Sequence, residues 1–216
     1  MSLSLKKIDE LIEALFNNAT SLIDESKLLH NHGYYTRAFS LAHFAREELS
    51  KIVMLQAAGM KVISGHEVDW KKLMRRFRNH KDKIRLETIN NSLIFGSVGQ
   101  YEEMENTFNS AEGMAELKND QKNSSLYVEI KEGNISSPLR LIDEQKSSRT
   151  IQLAEFSHFQ QRKYISIVGK YANRKPIELN VQNMDGMSKE EIIKHMKSIA
   201  PVFSILLANH SVDENG

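Results

Sequence analysis

Apolar residues recur at helical spacing along most of this chain. Leu5, Ile8, Leu11, Ile12, Leu15, Ala19, Leu22, Ile23 and Leu29 form one stripe, which predicts a helix from about Leu5 to His30. "HNHGYY" then breaks the pattern, with Gly33 placed to close the helix. Ala38, Leu41, Ala42, Ala45, Leu49, Ile52 and Leu55 form a second stripe, predicting a helix from about Tyr34 to Ala58 that stops at Gly59. Three alanines on that stripe let another helix approach closely. The same reading predicts helices over about 69–93, 100–118 and 138–171. Ser188 and Glu191 make a capping box for a last helix reaching about Ala208, followed by a frayed tail, "NHSVDENG".

One segment has a different period. In "SSLYVEIKEGNISSP", Leu126, Val128 and Ile130 alternate and "KEGN" signals a turn, so a short strand or hairpin is expected near 124–136. Only three prolines occur, which permits long helices. The pattern as a whole predicts an all-α bundle of five or six helices. Residues 1–171 are expected to form the helical domain, and 172–216 a connection and a helix packed on it.

Composition narrows the class. Hydrophobic residues are 40% and charged residues 26% of the chain, as in an ordinary soluble globular protein. The absence of cysteine excludes disulfides and thiolate zinc sites and suits a reducing compartment. No apolar run approaches the roughly 20 residues that span a bilayer. The start, "MSLSLKKIDELIEALF", reads as an amphipathic helix, not a signal peptide. A cytoplasmic protein without a membrane partner is expected.

Charge is distributed unevenly. The net charge is +1, yet residues 71–85 carry eight Lys or Arg against one Asp, and residues 102–116 carry five Glu and no Lys or Arg. Either the basic segment attracts phosphates, or the two segments neutralise one another within the fold.

Candidate chemistry lies in two places. A ferritin-like di-iron site needs two Glu-x-x-His pairs and two further glutamates, and this chain has one pair, Glu155 and His158. "HNH" at 30–32 lacks matching ligands, so no metal and no cofactor are expected. There is no Gly-rich phosphate loop and no Gly-x-Ser-x-Gly elbow. The first candidate stretch is "AREELSKI", 45–52. Glu48 lies three residues after Ala45 and four before Ile52, on or beside the apolar stripe, while Glu47 points about 100° away. A buried carboxylate is costly unless paired. Either Lys51 pairs locally with Glu47 and Glu48, or Glu48 meets a cation of the basic segment from another helix.

The second is "RRFRNH", 75–80. Trp70, Leu73, Met74, Phe77 and Ile84 mark its apolar side, which sets His80 at the edge of the buried stripe. On a straight helix Arg75 lies about 140° from His80 and Arg76 about 40°. Asn79 offers an interruption: as an N-cap with Asp82 at N3, it would start a new helix with His80 at N1, where the helix dipole favours an anion.

Four stretches in order, "GYYTRAFSLAHFAREELSKI", "RRFRNHKDKI", "KNSSLYVEI" and "SSPLRLID", make the chain resemble the AbiV abortive infection proteins of the HEPN superfamily of small helical domains. The resemblance covers roughly residues 5–170. It implies an HEPN-like helical bundle, antiviral defence against phage, and a homodimer. HEPN ribonucleases share an Arg-x(4–6)-His motif and cut RNA without metal, the ribose 2′-OH attacking the adjacent phosphate. Carried over, His80 would move protons and Arg75 would hold the phosphate, with Arg76 as the alternative arginine. Arg76 stands where many members have a small polar residue. Glu48 or Glu47 would orient His80 or the arginine, and Asn79 would donate to a phosphate oxygen. Arg76, Arg78, Lys83 and Lys51 would face RNA. The alternative role is a non-catalytic module binding RNA or a phage or host protein.

Overall fold

The computed structural model describes residues 2–131, 133–178 and 187–208, so the predicted tail at 209–216 lies outside the described residues. The first two helices, α1 (Leu5–Asn31) and α2 (Tyr35–Ile63), form a helical hairpin. Gly33 closes α1 in the left-handed region, φ +78°. Its N–H donates to the His30 carbonyl and that of Tyr34 to the Leu29 carbonyl, each at 2.9 Å, a Schellman motif. The predicted stop at Gly59 does not occur: α2 runs through it to Ile63. Gly59 is there for packing. A Cβ at this position would lie 2.9 Å from Cε1 of Tyr171.

The helix expected over 69–93 is two helices, α3 (Trp70–Arg78) and α4 (His80–Ser97). Asn79 separates them with an extended backbone, φ −86° and ψ 111°, and its side chain accepts the Asp82 N–H at 3.2 Å. It is the N-cap that the sequence offers there. Next comes α5 (Tyr101–Leu126), two turns longer than its apolar pattern predicts. The extra turns are buried through polar contacts. Ser125 bonds the Lys122 carbonyl at 2.6 Å and lies 2.8 Å from the Ser40 hydroxyl of α2.

The expected hairpin forms, with β1 (Glu129–Lys131) antiparallel to β2 (Asn134–Ser136). The helix predicted over 138–171 is divided into α6 (Pro138–Leu141) and α7 (Glu144–Val168). Asp143 caps α7 by accepting the Lys146 N–H at 2.8 Å. Past Gly169, a 3-10 turn (Tyr171–Asn173) returns to the bundle. Asp9 accepts the N–H groups of Tyr171 and Ala172, both at 2.9 Å, and the buried Tyr171 hydroxyl donates to the Gln56 carbonyl.

The last helix, α8 (Lys189–Ala208), starts with the expected capping box: Ser188 N–H to Glu191 at 2.7 Å, and Glu191 N–H to the Ser188 hydroxyl at 3.2 Å. It packs mainly on α4, where Met196 and Ala200 join Leu93 and Met104 in a small apolar cluster. The main core lies between α1, α2 and α7. Besides α1 and α7, α2 touches α4 and α5, so it is covered on most of its circumference. No helix among the described residues is long and apolar enough to cross a membrane.

Two helical glycines give a controlled comparison. Gly59→Ala drives a methyl into the Tyr171 ring and is expected to cost about 1–3 kcal/mol. Gly113→Ala, in α5 with open space around it, is expected to gain roughly 0.5–1 kcal/mol. Urea unfolding of both variants checks this, and shifts of the same sign would contradict the packing.

Candidate active site at the junction of α2, α4 and α5

The face of α2 turned toward α4 and α5 carries charge, not hydrocarbon. Its side chains at 43, 46 and 47 are all buried: His43, Arg46 and Glu47. From α4 come His80, Lys83 and Glu87, spaced three and four residues apart and therefore on one side of the helix. Lys122 comes from α5.

Glu47 is the centre of this group. Lys83 Nζ donates to Oε2 at 2.6 Å, and Lys122 Nζ lies 3.7 Å from Oε1. His80 Nδ1 is 2.8 Å from both carboxylate oxygens. His43 Nε2 is 3.4 Å from Oε1, too poorly aligned to count as a hydrogen bond. Burial alone would raise the pKa of Glu47. Contacts with His43, Lys83 and His80 more than reverse this and hold the carboxyl well below the usual range. For His43, burial dominates and pushes the imidazole pKa down, toward the neutral form.

The ionisation of Glu47 decides which His80 nitrogen bears the proton. A carboxylate only accepts, so the nitrogen facing it must donate. Nδ1 therefore carries hydrogen, and in the neutral ring the lone pair sits on Nε2. That atom makes no hydrogen bond among the described residues, and the side chain is 48% exposed. The result is an oriented imidazole whose basic nitrogen is available to solvent. Beside this site Arg46 binds Glu87 through two bonds, Nε–Oε1 and Nη2–Oε2, both 2.5 Å, with Ser157 adding a third contact to Oε1 at 3.3 Å.

These contacts revise the expectations at several residues. Glu47, not Glu48, meets cations from other helices. Glu48 is half-buried and pairs locally with Lys51 at 2.6 Å, which leaves neither in contact with His80. The stripe reading assumed one buried face, whereas α2 is also buried on the face of Glu47. Lys83, expected to face RNA, is buried on Glu47. Arg75 and Arg78 are exposed and Arg76 is half-buried, and their side chains make no hydrogen bond or ion pair among the described residues. The break at Asn79 removes the straight-helix angles used to rank Arg75 and Arg76 against His80. All three arginines lie in the last turn of α3, where cations complement the helix dipole. The exposed Asn79 spends its side-chain oxygen on the cap.

Sequence reasoning missed Arg46, Glu87, His43 and Lys122. His43, Arg46 and Lys122 all lie within stretches that carry the family resemblance, which was the available signal. The two histidine motifs set aside for metal have other partners. His158 stacks on Phe16, ring centroids 4.4 Å apart, and lies 2.9 Å from the Thr20 hydroxyl. His30 Nδ1 lies 3.0 Å from the Ser147 hydroxyl.

The two neighbouring glutamates separate burial from charge. Glu47→Ala strands two buried ammonium groups and is expected to cost about 3–5 kcal/mol. Glu48→Ala removes a local pair and is expected to cost no more than about 1 kcal/mol. Denaturant unfolding of both variants measures this, and equal small losses would contradict the placement of Glu47.

No curated protein and no solved structure matches the chain. The HEPN_AbiV family model, described as AbiV, matches residues 7–157, which run from the first turn of α1 to the middle of α7 and include every residue that touches Glu47. That span exceeds half of the 216 residues, and the chain belongs to the AbiV family of the HEPN superfamily, among the abortive-infection proteins of antiphage defence.

Proposed function

We propose that the protein is an endoribonuclease of antiphage defence that cuts RNA without a metal ion, using His80 for proton transfer. One observation carries the reading. His80 is held through Nδ1 by an ionised, buried carboxylate, with Nε2 unbonded and a half-exposed ring. In a structural histidine both nitrogens would ordinarily be satisfied within the core.

The chemistry follows from that tautomer. Nε2 takes the proton of a ribose 2′-OH, and the 2′-oxygen attacks the adjacent phosphorus. The bond to the 5′-oxygen breaks, and that oxygen leaves with a proton. The products are a 2′,3′-cyclic phosphate and a 5′-hydroxyl. Glu47 stabilises the imidazolium formed in the first step, as a carboxylate does for a catalytic histidine elsewhere. The charge developing on phosphate is met by an arginine of α3, Arg75 or Arg76, and by the N-terminus of α4. Each chain supplies one such imidazole. A homodimer with facing sites supplies a second His80 to protonate the leaving oxygen.

A second reading has its own observation. Tyr127, Val128, Ile130, Ile135 and Leu139 are all more than 60% exposed and lie on or beside the hairpin. Such an apolar surface suits a non-catalytic module that binds a phage or host protein.

RNA cleavage in EDTA distinguishes the two. General acid–base catalysis contributes about 10²–10⁴-fold, so His80→Ala is expected to slow cutting by at least about 100-fold. Glu47→Gln is expected to fall between it and the wild type. Cutting that survives His80→Ala unchanged would remove this site. No cutting by wild type, with a protein partner lost on Ile130→Asp, would favour the second reading.

A further inference from the structure

A cavity of about 700 Å³ lies between α2, α4, α5 and α7. His80, Glu47 and the arginines of α3 do not line it. It is therefore distinct from the site proposed for RNA, although His43 belongs to both. Its size falls within the roughly 300–1,000 Å³ usual for small-molecule sites.

The lining combines two chemistries. Arg46, Lys118, Lys146 and Arg149 are among its residues, and none of the lining residues is acidic. Its apolar part includes Phe39, Leu117 and Phe156, of which Leu117 is 52% and Phe156 39% exposed. Hydrocarbon is thus presented to solvent beside a cluster of cations.

Not all these cations are committed. Arg46 is held by Glu87, and Lys146 Nζ donates to the Leu141 carbonyl at 2.6 Å. Lys118 and Arg149 make no hydrogen bond or ion pair among the described residues. Lys118 is half-buried, and an ammonium partly withdrawn from water with no partner is unfavourable. Its charged surroundings are Arg46 of α2, Glu87 of α4 and Arg149 of α7, and the carboxylate is already engaged by Arg46. Burial first, then the field of Arg46, lower the Lys118 pKa to about 8. One further polar atom of a lining residue, Oδ1 of Asn91, is buried without a hydrogen bond.

We infer that this cavity binds a small amphipathic anion, with Lys118 and Arg149 holding its anionic group and Phe39, Leu117 and Phe156 contacting an apolar or aromatic body. The anion supplies the partner that Lys118 lacks. The exposed leucine and phenylalanine lose water to the ligand's body. Neither a bare inorganic ion nor a neutral hydrocarbon uses both parts of the lining.

Fluorescence titration with 8-anilinonaphthalene-1-sulfonate tests this, with N-phenyl-1-naphthylamine as the uncharged analogue. The folded wild type is expected to bind the sulfonate at one saturable site, at least tenfold tighter than the analogue. Lys118→Glu is expected to weaken sulfonate binding tenfold or more and to abolish the preference over the analogue. Thermal melting checks that the variant is folded. Should Lys118→Glu not fold, Lys118→Gln and the exposed Arg149→Glu take its place, with the same weakening expected. Free Lys118 is charged below a pKa of about 8, so affinity is expected to be level at lower pH and to fall as pH rises beyond it. The inference is overturned by no saturable binding, by equal affinity for the two probes, or by unchanged sulfonate affinity in the folded variants. The titration reads binding alone, so its outcome is independent of whether RNA is cut.

Discussion

A carboxylate buried among cations is stable only while its partners stay within reach, and Glu47 imposes that condition on three helices. With a side chain only 5% exposed, it must be satisfied by the protein itself. Lys83 and His80 on α4 and Lys122 on α5 provide this, so those helices cannot slide along α2 without stranding charge. The neighbouring Arg46–Glu87 pair works in the opposite sense, a cation of α2 on an acid of α4. Two adjacent residues of α2 thus bind two residues of α4 four positions apart, with complementary charges. Such an arrangement sets one register between the helices, because a shifted one brings like charges together.

The break at Asn79 belongs to the same device. Starting α4 at His80 puts His80, Lys83 and Glu87 at successive positions on one side of a helix. It also ends α3 with three arginines in the turn that precedes α4. One capped junction therefore sets an oriented imidazole at an anion-favouring helix end, with cations in the turn before it. The structural ion pair and the candidate chemistry are not separable features. The same carboxylate that locks α4 in place selects the His80 tautomer.

Much of the fold was legible because it follows apolar periodicity and local capping. The stripes of α1 and α2, the Gly33 closure, the hairpin and the Ser188–Glu191 box depend on residues near one another in sequence. The Asn79 N-cap was legible for the same reason. The errors occurred where distant residues decide. Gly59 looks like a helix stop, but the Tyr171 ring more than a hundred positions away requires a glycine inside a continuing helix. The last turns of α5 look too polar to be buried, yet Lys122 and Ser125 find partners on α2. At the site, spacing and resemblance single out His80, but they leave its carboxylate open between Glu48 and Glu47 and expect the inter-helix cation at Glu48. A single hydrophobic stripe cannot reveal that α2 has a second buried face made of charge.

The tautomer of His80 is the most direct test of the account. Long-range nitrogen–proton correlation spectra of the imidazole, recorded above the pH at which the ring loses its charge, distinguish protonated from unprotonated nitrogens. The wild type is predicted to carry its proton on Nδ1, leaving Nε2 as the base, and Glu47→Ala to lose that preference. A proton on Nε2, or an unchanged tautomer in a folded Glu47→Ala variant, would contradict the role assigned to Glu47.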